Sequence, residues 1–428
     1  MIDINLIRKN PEYVKNACLR RGETIPIEQI LEIDRAKRAA LSKASDLRAH
    51  RNKVSRDIGL SKKTSPEIIK QMKQIGQDIK SLDVVIRDTT KKLDDFLLAI
   101  PNIPDTQVPD GIDESNNKLI ETHGSPQKFK FTPSPHWDLA KNLDIIDFER
   151  GTKLSASRFY ILKGKGAKLQ RALISWMIDI HTSNGYQDLY LPYLVNRQTA
   201  LGSGQLPKFN DNMYHDTEDD LWLIPTAEVP ITNLYRDEIL DPKDLPLNFV
   251  AHTPCFRREK ANAGKDTRGI KRVHQFEKVE MYKFVKPENS ETELMILLSH
   301  AQEICKLLNL PYRTIQMCAG DLGFASSISY DIEIWASGSE EWLEISSCSN
   351  CKDFQSIRSN IRFRNKETNK TEFVHTINGS GLSLPRLLIA ILENGQTEDG
   401  EVLIPKILPV SYTHLRAHET LRYLVCRL

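Results

Sequence analysis

The chain has 428 residues, 40% of them hydrophobic and 27% charged, with a formal net charge of +2. That length predicts roughly two to four globular domains, and so small a total charge leaves any nucleic-acid signal to local clusters. The polar start MIDINLIRKNPEY lacks the apolar stretch of a secretory signal, apolar runs such as LLIAIL at 387–392 are too short to span a bilayer, and seven cysteines without a framework of spacings read as reduced, cytoplasmic thiols.

The first hundred residues predict a hairpin of two long helices over 27–100. Ile68, Met72, Ile75, Ile79, Leu82, Ile86, Thr89, Leu93, Phe96 and Ile100 step by alternating fours and threes, a heptad seam that only Thr89 breaks. Ala40, Ala44, Leu47, Arg51, Val54 and Ile58 keep the same stepping upstream, less purely. Between them, Gly59 is placed to stop the first helix, and Ser65 to cap a second that begins at Pro66. So short a connection forces the helices antiparallel. From Arg35 to Arg56 the first helix carries Arg35, Lys37, Arg38, Lys43, Arg48, Arg51, Lys53 and Arg56 against the single acid Asp46. A solvated face is the plain reading of that stripe. The sharper one is a rigid basic arm that lies on a nucleic-acid backbone, with RNA favoured because a stiff arm reads shape.

Residues 101–117, dense in Pro, Asp and Asn, read as a linker, and the pattern then changes class. An amphipathic helix is predicted over 167–186, ending near Asn184-Gly185. A short strand, DLYLPYLV, is interrupted by Pro192, which suggests an edge or an interface. LWLIPT, LNFVAHTPCF, VHQFEKVEMYKFV, ISYDIEIWA and EWLEISSC have strand length and composition, with helices at 291–308 and 384–393. Strands in succession with few helices between them predict an α+β domain, an antiparallel sheet flanked by helices, over 118–409.

The densest charge lies at 256–280, FRREKANAGKDTRGIKRVHQFEKVE, where Arg257, Arg258, Lys260, Lys265, Arg268, Lys271 and Arg272 cluster. That suits a polyphosphate, yet the chain has neither a Gly-x4-Gly-Lys phosphate loop nor a Gly-x-Gly-x-x-Gly turn. A nucleotide would therefore be held by side-chain clamps on a sheet. PTAEVP as a strand puts Thr226 and Glu228 on one face, FRRE does the same for Arg257 and Glu259, and HQFEKVE for Phe276, Lys278 and Glu280. EISS separates Glu344 and Ser346 from Ser347 unless a bulge intervenes. NGSGLSLPR reads as a glycine turn into a helix whose first turn holds Arg386. Singly, each has an ordinary structural reading. Cys348 and Cys351 form the one Cys-x-x-Cys pair, without a second pair nearby, so no zinc is expected.

Taken together and in order, YLPYL, PTAEVP, CFRRE…DTRGIKRVHQFEKVEMY, EISSCSNCKDFQ and NGSGLSLPR resemble the class II aminoacyl-tRNA synthetases. With the basic arm in front, the chain is similar to the bacterial seryl-tRNA synthetases over nearly its whole length. The resemblance implies ATP-dependent attachment of L-serine to tRNA(Ser) through a seryl-adenylate, with tRNA(Sec) as a further acceptor, a homodimer joined near Pro192, Mg2+ as cofactor and no membrane partner. It implies catalytic and ATP-binding roles for Arg257, Arg258, Glu259, Arg272, Phe276, Glu344, Ile345, Ser346, Ser347 and Arg386, with Mg2+ on Glu344 and Ser347. It assigns Thr226, Ala227, Glu228, Glu280 and Ser380 to serine, and the basic residues of the arm to tRNA. Two rivals, a ligase that loads a carrier protein and a non-catalytic RNA-binding coiled coil, fit less well: the first lacks a basic arm, and the second would have lost its phosphate-gripping arginines.

The sequence departs from the family in places. Ala156 stands where glycine is frequent and is expected to be tolerated, the backbone there needing no positive φ. Leu384-Pro385 replaces Val-Gly, which a first helical turn accepts. The last stretch, 410–428, is unlike the family's ending and is expected to be a non-native tail.

Overall fold

The computed structural model describes residues 1–61, 65–260 and 268–408. The suspected tail and Lys265 lie outside these. The chain divides into one compact unit at Met1–Pro101 and a second that begins at Asn102.

The first unit holds α1 (Ile4–Lys9), α2 (Pro11–Arg20), α3 (Ile27–Ser61) and α4 (Pro66–Ala99). At 1.5 Å per residue, the two long helices are each about 50 Å in length. Most of the heptad positions lie on the covered face of the pair: Ala40, Ala44, Ile75, Ile79 and Leu93 are buried, while near the end of α4 it is Leu97 that is buried and the predicted Phe96 only partly so. Thr89 sits in the seam by returning its hydroxyl to the Val85 carbonyl at 2.6 Å, so no polar group is left unpaired there. Ser65 caps α4, accepting from the Ile68 amide at 3.3 Å. Gly59 does not stop α3, which continues to Ser61: a capping glycine itself takes a left-handed conformation, and Gly59 keeps a helical one. Arg51 also leaves its heptad position, since it is exposed while the neighbouring seam residues are covered.

The second unit is built on an eight-stranded sheet of β1 (Lys118–His123), β2 (Gln187–Asp188), β3 (Leu247–Phe256), β4 (Gln275–Val285), β5 (Tyr312–Gln316), β6 (Ile328–Ala336), β7 (Glu341–Lys352) and β8 (His375–Ser383), in the order β1-β5-β6-β7-β8-β4-β3-β2. Every pair is antiparallel except β2 with β3 at the edge. Among its helices are α5 (His136–Asn142), α6 (Gly164–Ser183), α7 (Glu228–Thr232), α8 (Ser290–Leu307) and α9 (Leu384–Gly395). The apolar sides of α6, α8 and α9, with Leu173, Met177, Leu297, Ala301 and Leu388, pack with Val279, Met281, Ile332 and Ile377 of the sheet into one core.

Residues 102–117 run against this unit: the Asn102 side-chain Nδ2–H2 donates to the carbonyls of Ala325 and Cys351, both at 2.8 Å, and Val108 joins the core. The predicted strand 188–195 survives only in pieces, Gln187–Asp188 and Leu194–Asn196, because Pro192 between them has no amide to pair. NGSG is strand rather than turn. Its glycines let helices approach: a Cβ on Gly379 would lie 2.4 Å from Leu297 Cδ2, and one on Gly381 would lie 2.6 Å from His181 Nε2.

Ala156 contradicts its expectation. It follows the short helix Phe148–Ser155 with φ +103° and ψ −173°, a region that glycine occupies freely and alanine only under strain.

Candidate active site

Along β4 the pleat sends Val279 and Met281 to the helical core and Phe276, Lys278 and Glu280 to the opposite face, where they line a cavity of about 480 Å3. The floor of that cavity is β4, β7 and β8; its walls come from the segments after β3 and before α7, and from the first turn of α9.

Arg257, Glu259, Arg272, Phe276, Glu344, Ser347 and Arg386 all face this one space. Arg257 leaves the end of β3, held by its Nε–H on the Pro225 carbonyl at 3.3 Å, with its guanidinium 5.1 Å from the centre of the Phe276 ring. FRRE is not a continuing strand: β3 ends at Phe256 and Glu259 has φ +48°. Glu259 nevertheless reaches the cavity, 3.9 Å from Arg272. Arg386 projects from the first turn of α9, which Pro385 opens, and donates to the Glu344 carbonyl at 2.6 Å and its carboxylate at 3.3 Å.

A register shift in β7 between the partners of Ile332 and Glu333 is the bulge that the EISS reading turned on. It lets Glu344 and Ser347 share the cavity, while Ser346 is buried and donates to the Ser380 carbonyl at 2.7 Å. Ile345 sits at the cavity edge with its side chain in the core. Two further expected residues point elsewhere. The Arg258 side chain donates to the Met213 carbonyl at 2.9 Å and lies 4.5 Å from the Tyr214 ring, and Ala227 is wholly buried in a hydrophobic cluster.

The deep end of the cavity is more acidic. PTAEVP bends into α7 instead of forming a strand, and the bend brings Thr226 and Glu228 together: the Thr226 hydroxyl donates to Glu280 at 3.1 Å and accepts from the Glu228 amide at 3.3 Å. Lys278 pairs with Glu280. Burial, reinforced by the charge of Glu280, pushes the Glu228 carboxyl up to about 7. Ser380 lines the same end.

Glu344 and Ser347 offer hard oxygen donors. Behind them Asp331 has a buried Oδ1 without a hydrogen-bond partner among the described residues, and burial together with the charge of Glu344 holds its carboxyl well above the usual range. That donor set, with an unpartnered carboxyl oxygen behind it, fits a magnesium ion. Among the described residues, no three His, Cys, Asp or Glu side chains gather as a metal site by themselves; Cys348 and Cys351 are buried free thiols.

Sequence reasoning missed Gln355, Asn378 and Asp331 as parts of this site. Each lies inside a stretch singled out for another reason, and only the way the sheet folds shows that they back the acids.

In comparison with known proteins, the family model of the seryl-tRNA synthetase N-terminal domain matches residues 1–104, and that of the tRNA synthetase class II core domain (G, H, P, S and T) matches residues 208–395. A serine–tRNA ligase from Roseiflexus sp. is 53% identical over 95% of this chain and 97% of its own length, and one from Chloroflexus aurantiacus is 49% identical with the same coverage. Among solved structures, the seryl-tRNA synthetase of Pyrococcus horikoshii complexed with ATP superposes with a TM-score of 0.89 at 39% identity, covering 95% of this chain and 97% of that one. The cytoplasmic serine–tRNA ligase of Naegleria fowleri, in complex with AMP, gives 0.84 at 29% identity, covering 96% of this chain and 97% of that one. The chain therefore belongs to the seryl-tRNA synthetase family of class II aminoacyl-tRNA synthetases.

Proposed function

We propose that the cavity on the sheet joins L-serine to ATP as a seryl-adenylate and passes the seryl group to the 3′-terminal adenosine of tRNA(Ser). One observation carries this reading: Arg257, Arg386 and Glu344 face a single cavity whose other end holds Thr226, Glu228 and Glu280.

In the first step the serine carboxylate attacks the α-phosphorus and pyrophosphate leaves. Negative charge grows on the α-phosphoryl oxygens and the leaving group. Arg257 meets the α-phosphate, Arg272 meets the terminal phosphates, and Phe276 and Arg386 hold the adenine between them. The three arginines are held before the reaction by Pro225, Glu259 and Glu344, so little reorganisation is needed as the charge develops. Glu344 and Ser347 would hold Mg2+, which supplies charge neutralisation on the phosphates. Glu228 takes the serine ammonium, and Glu280 with Thr226 and Ser380 takes the hydroxyl. A buried acid that must be hydrogen-bonded rejects alanine more strongly than pocket size alone.

The acceptor is proposed to be held by the basic stripe of α3 through its phosphates, with tRNA(Sec) read in the same way by shape. A second copy is proposed to dock on the exposed run of Tyr190, Pro192 and Leu194. The cytoplasm, where tRNA is charged, is the proposed location. ATP–pyrophosphate exchange tried with each amino acid tests the central step. Exchange with serine alone supports it; exchange with none from folded protein removes it.

A further inference from the structure

We propose that His136 is a positioning residue for the nucleotide, acting through the backbone of Gly269 and Ile270. The inference rests on the ATP site proposed above and concerns residues outside its cavity. His136 opens α5 and is 1% exposed. Its Nε2 takes the Ile270 amide at 3.1 Å. An amide only donates, so Nε2 must be the unprotonated nitrogen, and the proton sits on Nδ1, which donates to Glu393 Oε1 at 2.9 Å.

Glu393, fully buried on α9, is itself fixed. It accepts from the backbone amides of His136, Gly338 and Ser339 and from the Ser339 hydroxyl, each at 2.9 Å. The imidazole therefore has one orientation, set by a carboxylate that cannot turn.

What it grips leads directly into the cavity. The residues after Ile270 are Lys271 and Arg272, which both line it. The Lys271 carbonyl accepts from Arg386 Nε at 3.5 Å, and Arg272 stands 3.9 Å from Glu259. Gly269 records how close the grip is: it has φ +74°, and a Cβ there would fall 1.9 Å from His136 Nε2. The neighbouring residues add a second hold, with the Arg268 guanidinium 4.7 Å from the Trp137 ring and 3.9 Å from Asp138. Loss of the imidazole acceptor frees the segment carrying Arg272 and leaves the serine end untouched.

The test is pyrophosphate exchange on the full chain, with KM measured separately for ATP and serine and with thermal unfolding alongside. His136→Phe keeps a ring and removes both hydrogen bonds; it is expected to raise KM for ATP by about tenfold or more while KM for serine stays within about twofold. His136→Gln, which retains an acceptor and a donor, is expected to recover part of the loss. Gly269→Ala reaches the same contact from the other side and decides the matter if His136→Phe does not fold. Unchanged KM for ATP in folded variants, or equal shifts for both substrates, overturns the inference. Absence of exchange by the unaltered chain instead removes the proposed function, and this inference with it.

Discussion

Gln355 donates its amide to Glu228 Oε1 at 2.6 Å, and the orientation of that amide is not open to choice. The same nitrogen also faces the Ser203 carbonyl at 3.0 Å, an acceptor only. The Gln355 oxygen accepts from the Tyr282 hydroxyl at 3.0 Å and from Thr376 at 2.6 Å. Asn378 gives Glu228 Oε1 a second donor at 3.1 Å. One oxygen of the carboxylate is thus committed to the protein, and the cavity is served by the rest of the group.

The pH dependence of serine use follows from Glu228. Its carboxyl is raised from 4.5 to about 7, so near neutrality the empty site holds a proton that an ammonium must displace. The value of kcat/KM for serine is expected to climb as pH rises through about 7, with a proton released on binding. Glu228→Gln should lower it and flatten the rise. The linkage to stability has the opposite sense. The folded state binds this proton more tightly than the unfolded chain, so the stabilisation it gives is complete below pH 4.5 and is lost as pH climbs through about 7. A pH profile in which Glu228→Gln matches the unaltered chain would contradict this.

Gln355→Glu puts an acid where Glu228 now meets a donor. Like charge and burial both oppose ionisation there, so the serine profile should move to higher pH by about one unit or more. Gln355→Leu removes the donor without adding charge and should shift it less. Equal shifts in the two variants would mean that the amide only fills space.

Much of this site was legible in the chain because strands have a period of two. Phe276, Lys278 and Glu280 could be placed on one face from spacing alone. Thr226 and Glu228 also came out together, although for another reason: a bend into α7, not a strand, brings them there. Where the backbone departs from regular pleating, sequence was a poorer guide. The bulge that turns Ser347 toward Glu344 has no proline or glycine to announce it, and the glycines of NGSG, which announce a turn, instead make room for α8 and α6. The partners of the acids, Gln355 and Asn378, were out of reach because their roles depend on which side of the sheet faces the cavity and on nothing local. Nor does Arg258 differ in sequence from Arg257 in any way that reveals its side chain turning to Tyr214.

Ala156 offers a test of the fold alone. Its φ of +103° with extended ψ costs a side chain about 1–3 kcal/mol that glycine avoids, against under about 1 kcal/mol for the greater freedom of glycine in the unfolded chain. The residue is exposed, so the change removes little packing. Ala156→Gly is therefore expected to raise stability by about 1 kcal/mol, read as a higher melting temperature. A lower one would place the strain elsewhere.

The basic stripe on α3 separates into residues already engaged and residues facing solvent. Arg38 donates to Asp34 at 3.0 Å and Arg48 pairs with Asp83 on α4, so part of their charge is spent within the hairpin. Arg51, Lys53 and Arg56 are exposed toward the far end of the same helix. If the arm holds tRNA through phosphates, Arg51→Glu and Lys53→Glu should each weaken tRNA binding, and each lost phosphate contact should reduce the slope of log K against log salt by roughly 0.7–0.9. Arg48→Ala should do less, since part of its charge is already spent on Asp83. Pyrophosphate exchange, which needs no tRNA, reads the sheet site separately from this effect. Binding that keeps both its strength and its salt slope after the two reversals would make the stripe a solvated face and nothing more.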